Sequence, residues 1–214
     1  SIVSYTGTGT NATVGHGLSA APTFIIVRNY SITQNFIIGQ KALWDSNING
    51  FLLFTSSAMS TNSAIWNGAR PTSSVISIGS DSGTNGSGNS HIAYCWRPID
   101  GFSKFGSYTG NGSSSGPFIY TGFRPRWILI KNYTSGSSNG WCLMDTARNP
   151  YNVSYNILEP QNSGAEFSGT TNTNMDILSN GFRLGGTDSF TNANGNTYIY
   201  MAFAENPFKY ANAR

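Results

Sequence analysis

Short apolar runs, each closed off by a cluster of Gly, Asn, Ser and Thr, recur along the whole chain. Phe24 to Val27 and Trp127 to Ile130 are runs of β-branched and aromatic side chains, each with a proline two residues ahead and an Asn-Tyr pair shortly behind. A run of that length and make-up predicts a strand buried on both faces. Ile92 to Trp96 and Tyr198 to Phe203 read the same way, and Phe51 to Phe54 and Val75 to Ile78 add further strands. Between them lie Ser80 to Asn89, Gly110 to Gly116, Ser168 to Thr173 and Asn192 to Asn196. These clusters supply the positive-φ and Asx positions that tight turns need. No stretch holds a helical apolar period for three turns; Ala147-Arg148 and Ser57 to Ser60 are the places for a short helical turn.

The runs are written twice. Ser4-Tyr5-Thr6-Gly7 matches Ser107-Tyr108-Thr109-Gly110 at an offset of 103, and the same offset carries Phe24–Tyr30 onto Trp127–Tyr133 and Pro22 onto Pro125. Val14, Gly17 and Leu18 meet Ile119, Gly122 and Phe123 at 105. Ala42–Asp45 meets Cys142–Asp145 at 100, Ile76–Gly79 meets Phe182–Gly185 at 106, and Gly88–Ile92 meets Gly195–Ile199 at 107. Blocks kept in one order with a drifting offset are what duplication followed by short loop insertions leaves. On this alignment Cys142 takes the place of Ala42 and Cys95 that of Ala202, so both thiols read as small core residues.

Each half offers about six to eight strands in about 105 residues, the count of a sandwich domain. The expected fold is all-β: two tandem antiparallel β-sandwich repeats, jelly-roll or lectin-like, over residues 1–106 and 107–214. The alternative is one larger sandwich with strands from both halves.

Composition narrows the function. Only 10% of residues are charged, against about 25% in an average soluble domain. The 14% aromatic content argues for a packed core rather than disorder. The net charge of +3 is spread thinly, 4 basic and 3 acidic side chains up to residue 103 and 8 and 6 after it, with no basic run. A nucleic-acid partner is not expected. No apolar run approaches the roughly 20 residues of a membrane span, so no membrane insertion is expected. Two cysteines make neither a disulfide framework nor a zinc site.

The segments GHGLSAAPTFIIVRN, IAYCWRPIDGFSKFGSYTGNGSSSGPFIYTGFRPRWILIKN and TYIYMAFAENPFKYANAR resemble a tandem-repeat domain family of virion proteins from tailed phages, many of them marine, and from prophages. The most specific parts are Gly101–Gly106 leading into Ser107–Gly110, the Gly122-Phe123-Arg124-Pro125 turn, and the ending Pro207–Arg214. Family members carry further sequence ahead of this chain's first residue, which together with the opening Ser suggests a C-terminal fragment. The resemblance implies a virion protein, part of a tail fibre or tail spike that meets the host, and it implies no catalytic residues. Tail fibres and spikes are usually trimers, so the implied partners are other virion proteins, further copies of this chain and a host-surface glycan. A capsid or tail decoration protein without a host ligand is the alternative, and a polysaccharide depolymerase stands behind it.

The residues themselves offer little catalytic chemistry. Thr6-Gly7-Thr8-Gly9-Thr10 lacks the Lys-Ser/Thr and the helix start of a phosphate loop. His16 and His91 are too few for a histidine metal site and read as surface or sheet-face residues, so neither metal nor cofactor is expected. Asp81 and Asp188, with neighbouring Asn and Gly carbonyls, fall short of a calcium loop. Glu159, Glu166 and Asp176 are the acids a depolymerase would draw on. The Asn-X-Ser/Thr triplets, Asn29-Tyr30-Ser31 and Asn132-Tyr133-Thr134 among them, read as turn chemistry. Sugar rings stack on exposed aromatic faces flanked by amides and guanidinium groups. Trp66, Asn67 and Arg70 have that make-up, and Trp141 is a second candidate; the competing reading has each Trp plugging the end of its sandwich.

Overall fold

The computed structural model describes residues 1–135, 140–169 and 172–207. The closing motif beyond Pro207, Asn139 and part of the Ser168 to Thr173 turn lie outside the described residues. The chain is all-β with three short helices among the described residues, and it divides into two compact units: 1–55 with 59–97, and 56–58 with 98–214. The dividing point at 97 precedes strand β9 (Ser103–Thr109), which runs unbroken across the expected boundary at 106.

In the first unit, β1 (Ile2–Thr6), β8 (Ser90–Trp96), β3 (Phe24–Asn29), β4 (Ile37–Gln40), β5 (Gly50–Leu53) and β6 (Ser60–Thr61) form one antiparallel sheet in that order. A second layer pairs β2 (Ala12–Gly15) with β7 (Val75–Ile78). Ile25, Val27, Ala93 and Cys95 of the large sheet share one core with Ile76 and Ile78 of the small one. The two-residue period of a strand explains the sorting: along β8, His91, Ala93 and Cys95 are buried while Ile92, Tyr94 and Trp96 on the opposite face are half-buried. The first unit therefore departs from the both-faces-buried reading. Between the strands lie α1 (Lys41–Ser46), α2 (Ser63–Trp66) and α3 (Ser82–Asn85), each opened by a side-chain cap, Gln40, Asn62 and Asp81. None of the three sits at Ser57 to Ser60 or Ala147-Arg148. Gly39 makes room for two indoles, because a Cβ there would run into the rings of Trp44 and Trp66.

The second unit repeats the strand order. β9, β17 (Thr197–Ala204), β11 (Pro125–Asn132) and β12 (Trp141–Asp145) line up as β1, β8, β3 and β4 do, and β10 (Phe118–Tyr120) pairs β16 (Gly181–Gly185) as β2 pairs β7. β15 (Asn174–Leu178) extends the smaller sheet, and β13 (Asn156–Ile157) pairs β14 (Phe167–Ser168). Here both faces of β11 are buried: Ile128 and Ile130 on the core side, Leu129 and Lys131 on the other. Register corrects part of the sequence alignment. Ile25 faces Cys95 as Ile128 faces Ala202, as expected, but Cys142 faces Ile130 as Ile37 faces Val27. Cys142 thus takes the place of Ile37. Ala42 and Asp45 lie on α1, which has no counterpart on β12, so the match of Asp45 with Asp145 does not hold.

The twice-written Thr-Gly-X-Gly phrase closes on a buried asparagine. Asn85 donates to the carbonyls of Thr10 (2.5 Å) and Gly79 (2.7 Å) and accepts from the Thr8 amide (2.7 Å). Asn192 donates to Ser113 (2.9 Å) and Gly186 (2.8 Å) and accepts from Asn111 (2.9 Å). Asp81 and Asp188 cap the turns that carry these residues, accepting from the amides of Gly83 and Phe190. Tyr5 and Tyr108 donate to the carbonyls of Thr84 and Thr191. The glycine is required by close approach: a Cβ on Gly7 would overlap the carbonyl oxygen of Gly86, and one on Gly110 that of Ala193.

Candidate functional site

Of the four predicted ligand-binding residues, two are buried and two exposed. Trp66 ends α2 with its ring 2% exposed, edge-on to Trp44 at 6.0 Å, and its Nε1 donates to the Gly50 carbonyl at 3.2 Å. Trp141 is 1% exposed at the start of β12. Neither ring offers a face to a sugar, and the correction follows from neighbours remote in sequence filling the space around each indole. Asn67 is exposed in the left-handed conformation (φ 53°) that ends α2. Arg70 is exposed too, but it turns to Asp45 and to the Trp44 carbonyl at 3.1 Å.

An aromatic face does exist, at residues the sequence did not single out. On the side of the large sheet turned away from the core, Ile26, Phe36, Phe54, Tyr94 and Trp96 line a trough of about 350 Å³. Its floor follows from strand pairing: β3 sets Ile26 opposite Tyr94 and Phe24 opposite Trp96. Tyr94 and Trp96, two apart on β8, stack with ring centroids 6.1 Å apart at 17°. Phe36 and Phe54, brought together by the Phe54 amide donating to the Phe36 carbonyl, meet edge to face at 6.1 Å. Arg28 lies 4.8 Å over the Phe36 ring, a cation–π contact. The alternation Ile92-Tyr94-Trp96 was the signal available in sequence; pairing with Phe36 and Phe54 was not. In the second unit the corresponding face carries Leu129, Lys131, Ile199 and Met201, all buried.

On the core side of the β4–β5 pair, Thr33, Gln34, Asn35 and Asp81 rim a polar pocket of about 380 Å³ floored by Ile37, Phe51, Leu53 and Ile65. The segment between β3 and β4 thus borders both depressions.

The remaining titratable groups are held locally. His16 and His91 are buried rather than at the surface, His91 taking a sheet-face position on β8. The Leu18 amide donates to Nδ1 of His16, which leaves Nε2 to donate to the Thr72 carbonyl at 3.1 Å. His91 stacks on Tyr5 at 5.1 Å and reaches the carbonyls of Asn89 and Ser82. Tyr198 does the same in the second unit, stacked on Tyr108 at 4.9 Å and donating to Ser189. Glu159, Glu166 and Asp176 each engage a different partner: Asn162, Arg148 and Arg183. Burial pushes the Cys95 thiol up to about 11 and holds Cys142 above the usual thiol range. Among the described residues no group of three His, Cys, Asp or Glu is placed to hold a metal, and no helix is long and apolar enough to cross a membrane.

Fold and site together define an all-β protein of two compact units, with antiparallel layers around each core and an aromatic trough on the first. A family model described as a domain of unknown function (DUF7483) matches residues 1–207, and the chain belongs to that family. Neither the curated proteins nor the solved structures contain a match.

Proposed function

We propose that this chain is a non-enzymatic structural protein of a phage virion, part of a tail fibre or spike that contacts the host surface through carbohydrate. The observation that carries the contact is the trough of Ile26, Phe36, Phe54, Tyr94 and Trp96, with Arg28 against its Phe36 ring. Aromatic faces take the C–H surface of a pyranose, and a guanidinium supplies donors for its hydroxyls. The virion setting rests on the resemblance of Gly101–Gly110 and Gly122–Pro125. Single-site affinity of an open trough is weak, and a homo-oligomer, a trimer in this reading, multiplies it.

The test is binding of labelled full chain to host cells, with and without Tyr94→Ser/Trp96→Ala. Loss of stacking at both rings is expected to weaken binding at least about tenfold, the equivalent of roughly 1.4 kcal/mol. Equal binding by the double variant sinks the trough as the contact. The nearly wholly apolar lining also suits a neighbouring virion subunit. In that second reading, a decoration protein, labelled antibody marks the capsid lattice rather than fibre tips.

A further inference from the structure

The polar pocket of the first unit shares no residue with the trough. Thr33, Gln34, Asn35 and Asp81 rim it over a floor that includes Phe51 and Leu53. Its volume of about 380 Å³ falls within the roughly 300–1,000 Å³ of small-ligand sites. Solvent reaches it: Thr33 and Asn35 are exposed, and Gln34, Phe51, Leu53 and Asp81 are half-buried. Two of the rim groups are held in place. The Gly83 amide donates to Oδ1 of Asp81 at 2.8 Å, and Nε2 of Gln34 donates to Oγ of Ser82 at 2.8 Å. Gly83 lets the two converge. A Cβ there would lie 2.6 Å from Oε1 of Gln34 and 3.1 Å from Oδ1 of Asp81, and would also strike the Ile37 side chain.

The remaining bonding capacity of the rim is unused. Among the described residues Asp81 has no ion-pair partner. Oδ2 of Asp81, Oε1 of Gln34 and the side chains of Thr33 and Asn35 have no hydrogen-bond partner among them either. A carboxylate offers about four lone-pair sites and an amide oxygen two, so acceptors are plentiful at Asp81 and Gln34. Thr33 and Asn35 add donors. A sugar hydroxyl both donates and accepts, and the C–H face of its ring needs an apolar surface, which Phe51 and Leu53 supply. An anion meets the carboxylate of Asp81, the one charged residue of the lining. A simple amine uses the acceptors alone and leaves floor and donors idle.

We propose that this pocket binds a single neutral hexose unit, with hydroxyls on Asp81 and Gln34 and the C–H face of the ring against Phe51 and Leu53. The ligand class follows from the pocket's own chemistry and goes beyond the trough reading. The carboxylate of Asp81 and the amide of Gln34 are fixed before the ligand arrives, so binding does not bear the cost of ordering them. The pocket supplies the directional hydroxyl partners that the nearly wholly apolar trough lacks.

The experiment is a titration of the full ¹⁵N-labelled chain, following the amide resonances of Thr33 to Asn35 and of Gly83. The probes are the neutral hexoses glucose, galactose and mannose, with glucuronate and butylamine as charged controls. At least one neutral hexose is expected to shift these resonances saturably in the millimolar range, and both controls to leave them in place. Asp81→Asn keeps the cap of α3, because Asn caps as well as Asp, and is expected to weaken the response about tenfold, the loss of a charge-assisted contact. Asn35→Ala, at an exposed side chain, is expected to weaken it severalfold. No saturable shift with any of the three hexoses overturns the proposal. So does an equal response to butylamine or glucuronate, and so does an unchanged response in either variant. Tyr94→Ser/Trp96→Ala is expected to respond as the parent does; a response lost there moves the sugar to the trough and overturns this site. Cell binding by way of Tyr94 and Trp96 is read separately, so either reading fails without the other.

Discussion

Asn85 and Asn192 each tie the start of a unit to the turn before its last long strand. Asn85 is buried, and its amide serves one backbone donor and two backbone acceptors. Removing it leaves the buried Gly79 carbonyl without its donor, at about 1–3 kcal/mol, while the Thr8 amide and Thr10 carbonyl, on exposed residues, can turn to water. Asn85→Ala is expected to cost about 2 kcal/mol, read as a drop in the urea midpoint; a loss under about 1 kcal/mol contradicts this role. The sequence offered the signal as Asp-Ser-X-Thr-Asn, shared by residues 81–85 and 188–192. Composition hid it, since Asn and Ser abound throughout. The Asn-X-Ser/Thr triplets tell a related story. Asn29 and Asn132 are buried, accept from the amides of Ser31 and Thr134 and donate to Ser82 and Ser189, which is turn chemistry.

Strands β3 and β11 show how far one pattern goes before surroundings take over. Both are short apolar runs inside a sheet, and each carries a cation one residue before its end, directly after the core-facing Val27 or Ile130. Arg28 stacks on Phe36, half-buried, whereas Lys131 is buried and donates to the Ser56 carbonyl at 2.9 Å. Burial lowers the Lys131 ammonium to about 8, partly opposed by the charge of Glu159. In the unfolded chain the same group titrates near about 10.4, so between these values the unfolded state binds more protons. The penalty is full below pH 8 and is relieved as pH rises towards 10. Lys131→Met is therefore expected to gain of the order of 2–3 kcal/mol over the parent at pH 7 and to lose most of that gain by pH 10. Urea midpoints of both proteins at pH 7, 8.5 and 10 check this. Cys95, raised to about 11, and Tyr198 and Tyr200, raised to about 12, lower stability over the alkaline range, but they do so in both proteins and cancel in the difference. A gain independent of pH contradicts the buried-charge account.

The division of the chain is also a physical matter rather than a textual one. The repeated phrase suggests a cut at 106, yet β9 starts at Ser103, and Ser103–Gly106 pair with Phe203–Tyr200 of β17. A fragment starting at 98 keeps that ladder and one starting at 107 loses it. The first is expected to be the more stable of the two by several kcal/mol, given four strand residues and the buried Phe105, and thermal unfolding of both checks it. Much of the architecture was written in local pattern. Short continuous runs of β-branched and aromatic residues mark the long strands, and glycine-rich clusters mark the turns. Matching blocks place Tyr5 with Tyr108, His91 with Tyr198 and Cys95 with Ala202. The helices of the first unit escaped because each is too short to show a period, and β12 was misaligned because α1 copies its apolar spacing. The site was the least legible part. Whether an indole is a core plug, as Trp66 and Trp141 are, or a half-open face, as Trp96 is, depends on neighbours dozens of residues away. Exposure is a property of the packed sheet, and a side chain's own identity does not encode it.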